Sequence, residues 1–206
     1  MTTAQFSKLF AILSLLAWGG TLGTITLAVM HRRNPESSAG SLFEDIRRNA
    51  VWFAFLVATV TMFGSLYLSQ IAHFVPCPLC WYQRICMYPL AVALLVGALR
   101  RDREVWAYVI PPAIVGTVIA IYHTQLQAFP KQAHFCKLGA DSCLTRWVWE
   151  FGFVSIPFMS LAAFVFIITM MLVLRSGGSD DFAEEDEDVD AAPSEDALSL
   201  SARGAS

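Results

Sequence analysis

The chain carries Cys77-Pro78-Leu79-Cys80, two thiols separated by two residues, at the junction of two long apolar runs. Cysteines at this spacing can close a small disulfide ring, and thiol–disulfide exchange needs one of them as a ready thiolate. Pro78, followed by the apolar stretch from Trp81, predicts a helix that starts within the motif, because proline is favoured in a first helical turn. Cys80 then stands near a helix N-terminus, whose partial positive charge favours a thiolate. The same spacing also serves metal sites and inert structural disulfides, so the rest of the chain must decide. Four residues beyond Cys80 comes Arg84, a charge inside an apolar stretch, where charge is costly and usually retained for function. Cys80 and Arg84 lie one helical turn apart on the same face. The guanidinium could stabilise the thiolate and hydrogen-bond a carbonyl-bearing ligand beside it, or it could snorkel to lipid phosphates.

The elements that must position these residues are membrane helices. Of the 206 residues, 56% are hydrophobic and only 15% charged, a balance that excludes an ordinary soluble domain. Five stretches approach the ~20 residues needed to cross hydrocarbon: Phe10 to Met30, Ala50 to Val75, Trp81 to Leu99, Val105 to Gln125 and Phe153 to Leu174. The expected fold class is therefore an all-α membrane protein. Its expected parts are an N-terminal anchor with its cytoplasmic loop over 1–49, a membrane redox domain over 50–175 and a tail over 176–206. The first run is longer than a usual signal-peptide core and lacks a convincing small-x-small cleavage site, so an uncleaved anchor is expected.

Basic residues set the orientation, because short loops rich in Lys and Arg stay cytoplasmic. Arg32, Arg33, Arg47 and Arg48 follow the first span, Arg100, Arg101 and Arg103 follow the third, and Arg175 follows the last. The Cys77 to Cys80 turn and the loop from Leu126 to Gly152 then face outward, as does the amino terminus. Four of the five cysteines fall on that side: Cys77, Cys80, Cys136 and Cys143. An extracytoplasmic compartment permits disulfides. Cys86, about two turns into the third span, reads as a small hydrophobe without a redox role.

The net charge of −3 conceals an asymmetry, since ten of the seventeen acidic residues lie beyond Ser176. This acidic segment has too little apolar surface to fold and is expected to be a disordered cytoplasmic extension. No sequence repeat or nucleic-acid-binding motif is evident.

At this point the chain resembles the DsbB family of membrane thiol oxidases, in its BdbC-like branch. The residues that carry the resemblance are Cys77-Pro78-Leu79-Cys80-Trp81-Tyr82-Gln83-Arg84, His123-Thr124-Gln125-Leu126-Gln127, and Cys143 followed by Trp149-Glu150-Phe151 and Pro157. It covers about residues 50 to 174, and the six residues between Cys136 and Cys143 match the BdbC-like spacing. The resemblance implies a four-helix transmembrane bundle, here with an additional N-terminal transmembrane helix, in the bacterial cytoplasmic (inner) membrane. It implies a quinone, ubiquinone or menaquinone, beside the dithiol, and a DsbA-like thioredoxin-fold thiol oxidase as partner. A DsbA–DsbB–quinone relay of this kind keeps the bacterial periplasm oxidising.

The resemblance also implies residue roles. Cys136 meets the partner, Cys143 resolves that mixed disulfide, Cys77 exchanges with the loop pair, and Cys80 faces the quinone with Arg84 beneath it. His123 corresponds to a family histidine close to the quinone, where it could hydrogen-bond a quinone oxygen; an interfacial histidine satisfied by water or backbone is the alternative. Two rival functions are weighed. One is a four-thiolate zinc site built from Cys77, Cys80, Cys136 and Cys143, opposed by the oxidising exterior and by the charge of Arg84. The other is a vitamin K epoxide reductase-like quinone enzyme, whose motif order differs. No resident metal is expected.

Overall fold

The computed structural model describes residues 3–33, 38–129, 143 and 145–176. Its helices are α1 (Thr3–Arg33), α2 (Ser38–Arg48), α3 (Ala50–Gln70), α4 (Pro78–Arg100), α5 (Trp106–Ala128) and α6 (Ile156–Ser176). All but α2 are long and apolar enough to cross a membrane, so the expected all-α membrane architecture is what is found. Many large apolar side chains point away from the bundle, among them Leu16, Leu22, Leu56, Val92 and Val118. In lipid this outward face has an apolar solvent, and helices remain the economical structure because they satisfy their own backbone groups.

Close helix approach comes from small residues. Ala50, Ala54 and Ala58 form one fully buried edge of α3, and Ala113, Gly116 and Ala120 do the same on α5. A methyl group added at Gly116 would stand 2.3 Å from the ring of Phe164 on α6, so the missing side chain is the seat of that phenylalanine. Leu90 and Leu94 of α4 and Ile167, Met170 and Met171 of α6 complete the same core. Such small-residue seams let dispersion contacts replace the hydrophobic drive that lipid removes.

Two boundaries differ from expectation, and both matter for the cysteines. Helix α3 ends at Gln70 rather than near Val75, and the chain then turns through His73 at φ 56°. Pro76 and Pro78 disfavour helix just ahead of themselves, so 71–77 becomes a connection that delivers Cys77 to the start of α4. Cys77 caps that helix: its backbone is extended, its sulfur accepts from the Cys80 N–H at 3.3 Å, and Pro78 opens the first turn. A thiol thus fills the position usually held by Ser, Asp or Asn. The second difference is α2, in a segment expected to be a basic loop. Phe43 buries itself there and stacks on His31 with ring centroids 5.1 Å apart, while Glu44 pairs with Arg47 at 2.6 Å.

The charged end and the cysteine end of the bundle are opposite. Cys77 and Arg100 bracket the 23 residues of α4, about 35 Å of helix. Arg175 at the end of α6 lies 4.6 Å over the ring of Trp106 at the start of α5. At the cysteine end, a tight turn brings Glu150 and Val154 into an isolated antiparallel bridge, with Phe151 at φ 53° and Gly152 at φ 79° both left-handed. Glu150 in turn accepts a 2.7 Å hydrogen bond from Ser7 Oγ, which ties the amino end of α1 to this face.

Candidate functional site

Helix capping and helix packing together assemble a sulfur–imidazole cluster. Cys77 Sγ and Cys80 Sγ are 3.0 Å apart, and both groups are thiols. His123, five residues before the end of α5, places Nε2 at 3.7 Å from Cys77 Sγ. Its other ring nitrogen, Nδ1, lies 3.2 Å from the Gln83 side-chain nitrogen. An amide NH₂ can only donate, so Nδ1 accepts and the ring proton sits on Nε2, facing the sulfur. Cys77, Gln83 and His123 are all buried. The hydrogen bond from Cys77 to Cys80, reinforced by burial, pushes the Cys77 thiol up to about 12. Cys77 therefore keeps its proton at neutral pH while the pair is reduced.

Arg84 takes a different direction from the sulfurs. Its Nε donates to Ser65 Oγ at 2.9 Å and its Nη2 to the Ser65 carbonyl at 2.8 Å, with the guanidinium 5.4 Å from the Trp81 ring centroid. The charge is pinned to the neighbouring helix rather than left to snorkel. Charge-assisted bonds of this kind are each worth about 1.5–3 kcal/mol.

Two cavities meet at Cys80. The larger, about 380 Å³, is bounded by α1, α3, α4 and α6, with Phe10, Ser14, Ser65, Cys80, Arg84 and Met159 among its lining. That volume is in the range of small-molecule sites, and apolar walls with a few convergent polar groups are their usual form. The smaller cavity is lined by Cys77, Cys80, His123 and Gln127 together with residues of 145–157. Trp147 borders both and stacks on Phe74 at 4.9 Å, so the loop strand after Cys143 roofs the site.

The structure therefore brings together Cys77, Cys80, Arg84 and His123, but it divides them. Cys80 and Arg84 face the large cavity, whereas His123 lies against Cys77 on the small one and is absent from the large cavity's lining. Cys143 is buried and close enough to Cys80 to act on it electrostatically. Cys136 lies outside the described residues. Cys86 sits within α4, half-buried against the core. Gln83 and Gln127 stand in the sequence motifs beside Cys80 and His123, but the sequence alone assigns them no task. Their signal was spacing, since Gln83 follows Cys80 by three residues and Gln127 follows His123 by four, both same-face intervals on a helix. Ser65 and the cavity wall supplied by α1 had no comparable signal.

The family model described as disulfide bond formation protein DsbB matches residues 47–174. Disulfide bond formation protein C of Bacillus subtilis is 41% identical over 132 residues, covering 63% of this chain and 95% of that protein. The probable disulfide formation protein C of Halalkalibacterium halodurans is 40% identical over 131 residues, 62% of this chain and 94% of that protein. A probable disulfide formation protein of Coxiella burnetii is 36% identical over 135 residues, with 65% and 91% covered. No solved structure matches. With its dithiol at a helix start in a multi-pass membrane bundle and its match across 47–174, the chain belongs to the DsbB family and is a membrane disulfide oxidoreductase.

Proposed function

We infer that the chain takes electrons from a reduced DsbA-like thiol oxidase with a thioredoxin fold and passes them to a membrane quinone, ubiquinone or menaquinone, thereby sustaining disulfide formation. The observation that carries this reading is the cavity of about 380 Å³ with Cys80 and Arg84 on its wall. A flat, apolar, carbonyl-bearing ring fits such a lining: aliphatic and aromatic walls, a sulfur at one side and a fixed cation beside it. When bound, a quinone supplies an acceptor for two electrons and two protons, which water does not.

The rest of the work falls to the chain's own residues. Cys80 presents sulfur to the cavity, and Arg84, held by Ser65, offers a positive charge that needs no reorientation. His123 holds its Nε2 proton toward Cys77, where it can stabilise that sulfur as it becomes the leaving group in exchange. Upstream, the partner's dithiol becomes a disulfide as the Cys136–Cys143 disulfide becomes a dithiol. The loop pair is then reoxidised as Cys77–Cys80 takes the two electrons. Cys136 meets the partner and Cys143 resolves the mixed disulfide.

Sidedness rests on charge. Arg100 and Arg175 stand at the end of the bundle remote from Cys77. Under the rule that keeps basic loops cytoplasmic, they support an extracytoplasmic cysteine end in the bacterial inner membrane.

The test is a coupled assay with purified full-length protein, a reduced thioredoxin-fold thiol oxidase and a short-chain quinone. The expected result is quinone reduction at one equivalent per partner disulfide formed. Partner oxidation that proceeds catalytically without any quinone consumed, under argon, would overturn the acceptor assignment.

A further inference from the structure

Three potential ligand atoms converge beside the small cavity. Cys77 Sγ, Cys80 Sγ and a ring nitrogen of His123 all lie within 4.8 Å of one another. Gln127 lines the same cavity, is only 5% exposed, and its Oε1 is buried with no hydrogen-bond partner among the described residues. A buried carbonyl oxygen left without a donor is rare and asks for a ligand, an ion or a water. The cavity, about 20 Å³, has room for one small occupant.

We propose that the reduced Cys77–Cys80 pair, with His123 and Gln127, forms a binding site for a soft tetrahedral dication of the zinc class, which arrests the enzyme until the metal leaves. Zinc takes thiolate sulfur at about 2.3 Å and imidazole nitrogen at about 2.0–2.1 Å, which sets tetrahedral edges of about 3.8 Å between sulfurs and about 3.6 Å from sulfur to nitrogen. The Cys77–His123 separation of 3.7 Å already meets the second edge. The sulfurs, at 3.0 Å, need to open by about 0.8 Å, a small side-chain rotation.

Charge favours the complex. Two thiolates cancel the dication, so a neutral assembly replaces two thiols, with both thiol protons released to solvent. The Arg84 guanidinium, directed to Ser65, need not oppose it. His123 must ligate through Nε2, so its Nδ1 must carry the proton. A half-turn of the Gln83 amide presents Oε1 to accept it, at little steric cost because the two amide ends are nearly isosteric. Imidazoles that bind metal are typically held in this way through the other nitrogen. The oxidised pair has no thiolate to offer, so the site exists only in the reduced half of the cycle. It therefore engages when reoxidation stalls. This inference does not depend on which acceptor takes the electrons.

The experiment uses full-length protein in detergent under argon, reduced and freed of reductant, then titrated with Zn²⁺ and, for the thiolate absorbance, Cd²⁺. One tightly bound ion per reduced chain is expected, with none in the oxidised protein. The ion should shield Cys77 and Cys80 from maleimide, and a chelator should restore labelling. Gln83→Leu should loosen the metal 10- to 100-fold, and Gln127→Leu should also loosen it. The Cys136→Ser/Cys143→Ser double variant should still bind one ion. Loss of binding in that double variant would assign the metal to a four-cysteine site and overturn the proposal. Equal binding by oxidised and reduced protein, or binding unaltered in Gln83→Leu, Gln127→Leu and His123→Ala together, would overturn it as well.

Discussion

Arg84 is held by Ser65 through two donors, Nε to the hydroxyl at 2.9 Å and Nη2 to the backbone carbonyl at 2.8 Å. The two residues stand on adjacent helices, α4 and α3, and both border the large cavity. A guanidinium fixed in this way meets a ligand without first reorganising, which is where preorganised charge gains its effect.

Removing the anchor should therefore weaken acceptor use without stopping thiol exchange. Ser65→Ala is expected to raise the quinone KM by about 10-fold, in line with the loss of one charge-assisted hydrogen bond of about 1.5 kcal/mol. Arg84→Ala should have a larger effect of the same kind. Steady-state quinone reduction measures the first quantity, and mixed-disulfide formation with the partner, followed by gel shift, checks that exchange is spared.

The cysteines should separate into two classes. Replacing Cys77, Cys80, Cys136 or Cys143 by Ser is expected to abolish sustained turnover, because each pair needs both sulfurs to pass two electrons. Cys86→Ser should retain near-native turnover, since that side chain is partly buried against the helix core. The coupled assay reads both outcomes.

The Cys77 thiol, pushed up to about 12 by its hydrogen bond to Cys80 and by burial, should label slowly. At pH 8 about one such thiol in ten thousand is ionised, against about one in four for an ordinary cysteine. Alkylation of Cys77 in the reduced protein should then climb about tenfold per pH unit from pH 7 to 10. Cys80→Ala removes the leading cause, so it should lower the thiol's pKa and speed alkylation of Cys77 at fixed pH. Mass spectrometry of iodoacetamide adducts over a pH series gives both rates.

Gly64 tests the contact between the first helix and the bundle. A methyl group there would stand 2.2 Å from the Phe10 ring, which stacks on Phe6, itself stacked on Tyr67. With the ring held on its other side, Gly64→Ala should cost about 1–3 kcal/mol through overpacking. It should also change quinone KM, because Phe10 lines the cavity. Adding Phe10→Ala should recover part of the stability loss. Thermal unfolding in detergent reports the stability, and the double variant distinguishes this contact from a general helix effect.

The chain's local chemistry determined much of this protein before any packing was known. Apolar length alone sets five membrane helices, and Pro78 after Cys77 sets where α4 begins, because both signals depend only on residues near one another in sequence. The short α2 escaped because Arg47 and Arg48 read as a loop, whereas burial of Phe43 supplies the helix with its support. Tertiary structure decided the rest. Ser65 to Arg84 spans 19 positions, Gln83 to His123 spans 40 and Cys77 to His123 spans 46. No periodicity in a single helix can announce such pairs. They exist because small residues such as Ala54, Ala58 and Gly116 let neighbouring helices approach closely enough for one polar group to find another inside an apolar bundle.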